Sequence, residues 1–186
     1  MNTHPAFYIA ALVFILLNYT LLKHPLNGGS DSFIGLTAIL LIIYLTNTHY
    51  IKFAPELLLL KALLTYLSLQ LILSYFVAGL VKVKNKKWLS GHELDHIDIL
   101  QNKYPLNLRF VHFLKQLKLN KILSISMIIF ELSSPILLLR NSFSMAYLVC
   151  GVIFHFIIFI TLGLNRFFWT WLSLYGFYLS WLFISS

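Results

Sequence analysis

Long apolar runs, broken by short polar clusters, dominate this chain. A bilayer span needs about 20 mostly apolar residues. Six runs approach that length: residues 5–22, 33–48, 54–83, 122–139, 143–163 and 167–184. The first stops at Lys23, ahead of the Gly28-Gly29 turn. The second is the shortest and the third the longest. Trp169, Trp171, Tyr175, Tyr178 and Trp181 fill the last run, as interface anchors or as aromatic packing. The pattern predicts an all-α fold, a polytopic membrane helical bundle of about six transmembrane helices forming a single transmembrane domain over residues 1–186. The N-terminus has no basic stretch before its apolar run and no A-x-A-like site followed by a polar domain. It reads as a retained transmembrane helix rather than a cleaved signal peptide.

Residues 84–121 form the sizeable polar segment, expected to be cytoplasmic or interfacial. Its second half reads PLNLRFVHFLKQLKLNK. Phe110, Phe113, Leu114 and Leu117 fall at i, i+3, i+4 and i+7, with Arg109, His112, Lys115 and Lys118 on much of the remaining surface. This spacing predicts a basic amphipathic helix over residues 106–119, lying in the membrane interface. It would seal a bundle edge, or dock a membrane or exported protein partner or anionic lipid. With six spans, loops one, three and five hold ten Lys and Arg residues, while the opposite loops hold Lys52 and Arg140 with Lys61 near a helix end. The positive-inside rule then puts the long loop in the cytoplasm and both termini outside.

Composition narrows the class. Only 11% of the 186 residues are charged and 59% are hydrophobic, with 16% aromatic and a mean hydropathy of +0.82. Ordinary domains carry about 25% charged residues. Roughly a third of the surface of an unfolded chain this long stays exposed on folding, so a soluble fold could not hide so much apolar area. A soluble enzyme, a disordered tail and a disulfide scaffold are thereby excluded, and the expected location is the inner (plasma) membrane, multi-pass. The net charge of +8 suits the anionic cytoplasmic face of a membrane better than nucleic acid. Of the 20 Lys, Arg, Asp and Glu residues, 11 lie in residues 84–121, so charge inside the apolar runs is rare. The single cysteine, Cys150, forms no intramolecular disulfide and reads as a small buried hydrophobe.

The misplaced polar residues are the candidates for chemistry. Tyr75, Ala78, Gly79 and Lys82 follow i, i+3, i+4 and i+7 spacing and share one helix face. Small Ala78 and Gly79 let another helix or a flat ligand approach. A lysine in an apolar site can act as a general base. Equally, Lys61 and Lys82 bracket one bilayer thickness and could both snorkel. Glu131 lies near the middle of the fourth run, where an ionisable group is costly and needs a partner. Pro135 loosens the helix four residues on. His155 is also mid-run, with Gly151 and Phe159 on its face; it is a structural residue, orients a ligand or pairs with Glu131. The segment from His92 to His96 fits H-E-x-x-H. Asp95 inside it, Gly91 before it and the lack of a third ligand at a familiar spacing argue for a polar turn, and no metal site is predicted.

Three segments, YFVAGLVKVKNKKWLSGHEL, FELSSPILLL and GVIFHFIIFITLGLNRFFW, resemble in order and rough spacing those of the vitamin K-dependent γ-carboxylases and their bacterial relatives, the horizontally transferred transmembrane (HTTM) proteins. The resemblance spans about residues 70–180. It implies a helical bundle that binds a lipid quinol, menaquinol or a related quinone, with no metal. It implies Lys82 as the base that deprotonates the reduced naphthoquinone, after which oxygen converts the quinol into a strong base that removes a γ-proton from a glutamyl substrate before carbon dioxide adds. His155 would orient the ligand, and Tyr75, Gly79, Trp88 and Glu131 would complete the binding site. Within the matched segments the chain departs from the family in one extra residue between Lys82 and Trp88 and a basic KVKNKK linker where acidic residues are common; less membrane sequence before the lysine motif and no large extramembrane domain are expected. A non-catalytic membrane subunit for maturation, export or assembly of a partner is the alternative. A third reading is a redox accessory of the DoxX or MauE type, relying on a partner's dithiol.

Overall fold

A computed structural model of the chain describes residues 28–96, 120–162 and 164–185, together with Val13. The first apolar run, 5–22, apart from Val13, and the amphipathic segment, 106–119, lie outside the described residues. Every described element is helical. In chain order these are α1 (Gly28–Thr46), a π-helical turn (Asn47–Ile51), α2 (Glu56–Lys84), α3 (Lys86–Ser90), a 3-10 turn (His92–His96), α4 (Asn120–Leu132), α5 (Ser134–Leu139), α6 (Asn141–Leu162) and α7 (Asn165–Ser185). Among the described residues, four helices are long and apolar enough to cross a membrane: Ser30–Ile51, Glu56–Lys84, Ser142–Ile160 and Asn165–Ser185. By length and composition they indicate a membrane protein.

The run predicted as a fourth span, 122–139, is broken. α4, 13 residues long, and α5, six residues long, cover it on either side of a turn at Ser133. Pro135 removes an amide donor and crowds the carbonyl four residues back, that of Glu131. Ser133 adds to the break, since its Oγ donates to the Phe130 carbonyl at 2.8 Å. The chain turns at Ser133 and restarts as α5 with Pro135 in its first turn.

The chain divides into two compact units, Met1–Leu67 with Trp169–Ser186, and Ser68–Phe168. In the first, Asn47 closes the connection after α1: its amide donates to the Ala54 carbonyl at 2.9 Å and its Oδ1 accepts from Ala54 N at 2.8 Å. That turn ends at Lys52 in the left-handed region, φ 49°, where its amide donates back to Asn47 O. Phe33 meets Trp171 edge-on, with ring centroids 5.5 Å apart.

The second unit holds the rest of α2, the elements α3 to α6 and the start of α7. Its apolar core includes Leu71, Ile72, Tyr75, Ile128, Leu138, Tyr147 and Leu148. Hydroxyl groups tie the helices together. Ser134 Oγ donates to the Ile72 carbonyl at 3.1 Å and Ser124 Oγ to the Trp88 carbonyl at 2.5 Å. Asn85 caps α3 by accepting from Lys87 N at 3.0 Å, and Gly91 ends it at φ +84°. A Cβ on Gly91 would lie 2.6 Å from Lys121 N, so the α3 terminus sits directly on the backbone that starts α4.

Candidate functional site

The site is assembled on one face of α2 within the second unit. Tyr75 and Lys82, seven residues apart, are about 10 Å apart along the helix axis. Each meets a polar residue from another helix. Lys82 Nζ donates to Glu131 Oε1 at 2.5 Å and to Oε2 at 2.6 Å. Tyr75 Oη and His155 Nε2 share a hydrogen bond of 2.6 Å, whose donor is set by the imidazole tautomer. Glu131 is thus partnered by Lys82, not by His155, and Lys82 turns inward instead of extending from its helix end.

The break after Glu131 explains part of this pairing. It leaves the carboxylate at the C-terminal end of α4, where the helix dipole favours a nearby cation. Lys82 supplies that cation. Its third donor direction is not taken by Glu131, and its side chain keeps 18% exposure while that of Glu131 keeps 6%. The Trp88 ring centroid stands 5.1 Å from Nζ, within cation–π range. Trp88 is held there because its own carbonyl is pinned by Ser124. The ammonium is therefore bounded by a carboxylate and an indole face, and part of the Lys82 side chain stays accessible.

Gly79 has a different task. A Cβ there would lie 2.9 Å from the Leu132 side chain and 3.0 Å from Leu132 N. The small-residue notch of α2 is filled by the end of α4, so the close approach is that of a helix. Leu132 adjoins Glu131, and the notch sets how near the carboxylate comes to Lys82.

The Tyr75–His155 pair is sealed by aromatic rings. Tyr75 meets Phe130 and Tyr147 edge-on at 5.5 and 5.8 Å. Phe130 stacks on Tyr147 at 4.5 Å, and Phe154 and Phe167 flank the His155 ring at 5.0 and 5.1 Å. Tyr147 Oη also donates to the Phe130 carbonyl at 3.1 Å, beside the helix break. Sequence reasoning missed Phe130, Leu132 and Tyr147. Tyr147 carried a usable signal, since it extends the Gly151–His155 face one turn toward the N-terminus.

The H-E-x-x-H segment forms a 3-10 turn. Such a turn eclipses positions three apart, whereas the zinc-binding arrangement needs an α-helix that aligns positions four apart. Asn85 Nδ2 reaches Glu93 Oε1 at 3.4 Å. Among the described residues no group of three or more His, Cys, Asp or Glu could hold a metal ion. Comparison with protein-family models, curated proteins and solved structures found no match.

Proposed function

We propose that this chain is a multi-pass membrane protein that binds a lipid quinol, menaquinol or a close relative, with Lys82 as general base. In this reading the chain has about six transmembrane helices in the inner membrane, an interfacial helix over residues 106–119, and the HTTM and γ-carboxylase-like proteins as its kin. One observation carries the proposal: a lysine at the edge of a long apolar helix contacts both oxygens of a buried carboxylate while part of its side chain stays accessible. In this reading the residues around Lys82 and Trp88 would receive a flat phenolic ligand at the accessible part of the lysine side chain. They do not fit one inserted at Gly79, where Leu132 stands. A bound quinol would supply a hydroxyl acidic enough to yield its proton. Lys82 accepts that proton at Nζ, and Trp88 offers a face for ring stacking. Tyr75 and His155 lie deeper and brace the α2 and α6 contact.

The test is the lipid extract of the gently purified protein. A stoichiometric quinone in the wild-type extract supports the reading; its absence refutes it. The second reading is a non-catalytic membrane subunit for maturation, export or assembly of a partner. The Lys82–Glu131 tie favours it in one respect, since an interhelical ion pair is also a packing element. Retained function in Lys82→Arg or Lys82→Ala, with loss on charge reversal of Lys115 and Lys118, would select that subunit.

A further inference from the structure

An ammonium held by a carboxylate is not yet a base. Lys82 must lose a proton before it can accept one, and the carboxylate it contacts is the more buried of the two groups, 6% exposed against 18%. The geometry supplies one acceptor in direct contact. Glu131 places both oxygens at 2.5 and 2.6 Å from Nζ, short enough for the proton to pass without either residue changing rotamer. The other contact of Nζ, Trp88, presents a ring face, and its indole is a donor without an acceptor site.

We propose that Glu131 is a positioning residue that holds the proton of Lys82 while Lys82 acts as base. This rests on the base reading above. The balance is simple. In the resting pair Lys82 is –NH3+ and Glu131 is –COO−. One N–H bond breaks and one O–H bond forms, giving –NH2 beside –COOH, with no change in net charge. The amine lone pair then takes the proton of a phenolic hydroxyl, restoring –NH3+ and leaving the phenolate oxygen next to that cation. The proton count closes with Glu131 protonated, Lys82 charged and the ligand anionic. No electron moves and no co-reactant is needed. Two features fit this assignment. The pair is neutral in both its forms, which suits a poorly hydrated site. The C-terminal end of α4 lies beside it, so the ammonium formed in the last step is favoured by the helix carbonyls as well as by the new anion.

The probe is 1-naphthol, a single-hydroxyl analogue that requires no redox chemistry, added to the full-length protein in detergent. Two signals are read: naphtholate absorbance, and the infrared carbonyl stretch of a protonated carboxylic acid, identified by its shift in D2O. The wild type should show both together. Glu131→Gln should still bind naphthol while losing both signals, and Glu131→Asp should restore them in part. Naphtholate formation in the wild type without the carboxylic acid band would overturn the assignment, and that measurement does not depend on any variant folding. Undiminished naphtholate in Glu131→Gln would overturn it too, leaving Lys82 as base intact. Failure of the base reading looks different. Naphthol would bind without forming naphtholate, or naphtholate would persist in Lys82→Met, and either result removes both proposals.

Discussion

Replacing Lys82 with Met or Glu131 with Leu, one at a time, should destabilise the protein severely, and replacing both together should not. At 2.6 Å and an effective dielectric constant near 20, the attraction between the two charges is about 6 kcal/mol. Taking each ion out of water costs several kcal/mol, so the intact pair is close to neutral overall. The single variants behave otherwise, because each leaves a charge in the same site without its counter-charge. Measured losses for such buried pairs are about 3–5 kcal/mol. The 18% exposure of Lys82 places Glu131→Leu toward the lower end, since a stranded ammonium can reach solvent more easily than a stranded carboxylate. Lys82→Met also forfeits the contact with Trp88, worth about 0.5–2 kcal/mol. The double variant Lys82→Met/Glu131→Leu substitutes apolar side chains of similar size and is expected within about 1.5 kcal/mol of wild type. Unfolding in mixed micelles of rising denaturing-detergent fraction, followed by tryptophan fluorescence, measures all four proteins. A double variant whose loss equals the sum of the two single losses would mean that the charges do not interact, and would refute the argument.

Three further outcomes are expected. Gly91→Ala forces a side chain into the left-handed region at φ +84° and drives its Cβ to 2.6 Å from Lys121 N, so the loss should reach about 3 kcal/mol or more, read by the same unfolding assay. Gly79→Ala meets Leu132 at 2.9 Å and should cost about 1–3 kcal/mol without any ligand present; a stable variant with lowered quinone retention would instead assign Gly79 to ligand contact. Tyr75→Phe removes the hydrogen bond to buried His155 and should cost about 1–3 kcal/mol, with the His155 ring resonances shifting in NMR spectra of the labelled protein.

Helix placement was legible where hydropathy is continuous. The runs at 33–48, 54–83, 143–163 and 167–184 correspond to the four helices long enough to cross a bilayer. The run at 122–139 is helical on both sides of Ser133, but hydropathy does not register the turn there, where Ser133 Oγ donates to the Phe130 carbonyl and Pro135 lacks a donor. Spacing on α2 placed Tyr75 and Lys82 on one face, and both use that face. Depth alone required a partner for Glu131, and the sequence offered His155, whereas the structure supplies Lys82. That choice depends on how far α4 advances along α2, which is set by Leu132 entering the notch at Gly79. Sequence thus states the demand made by a buried charge, and local periodicity states the direction it faces. The supply comes from the register between two helices 50 residues apart in the chain, and a single glycine fixes it. That is why the same notch that admitted two readings in the sequence, a helix or a flat ligand, governs the distance between the proposed base and its carboxylate.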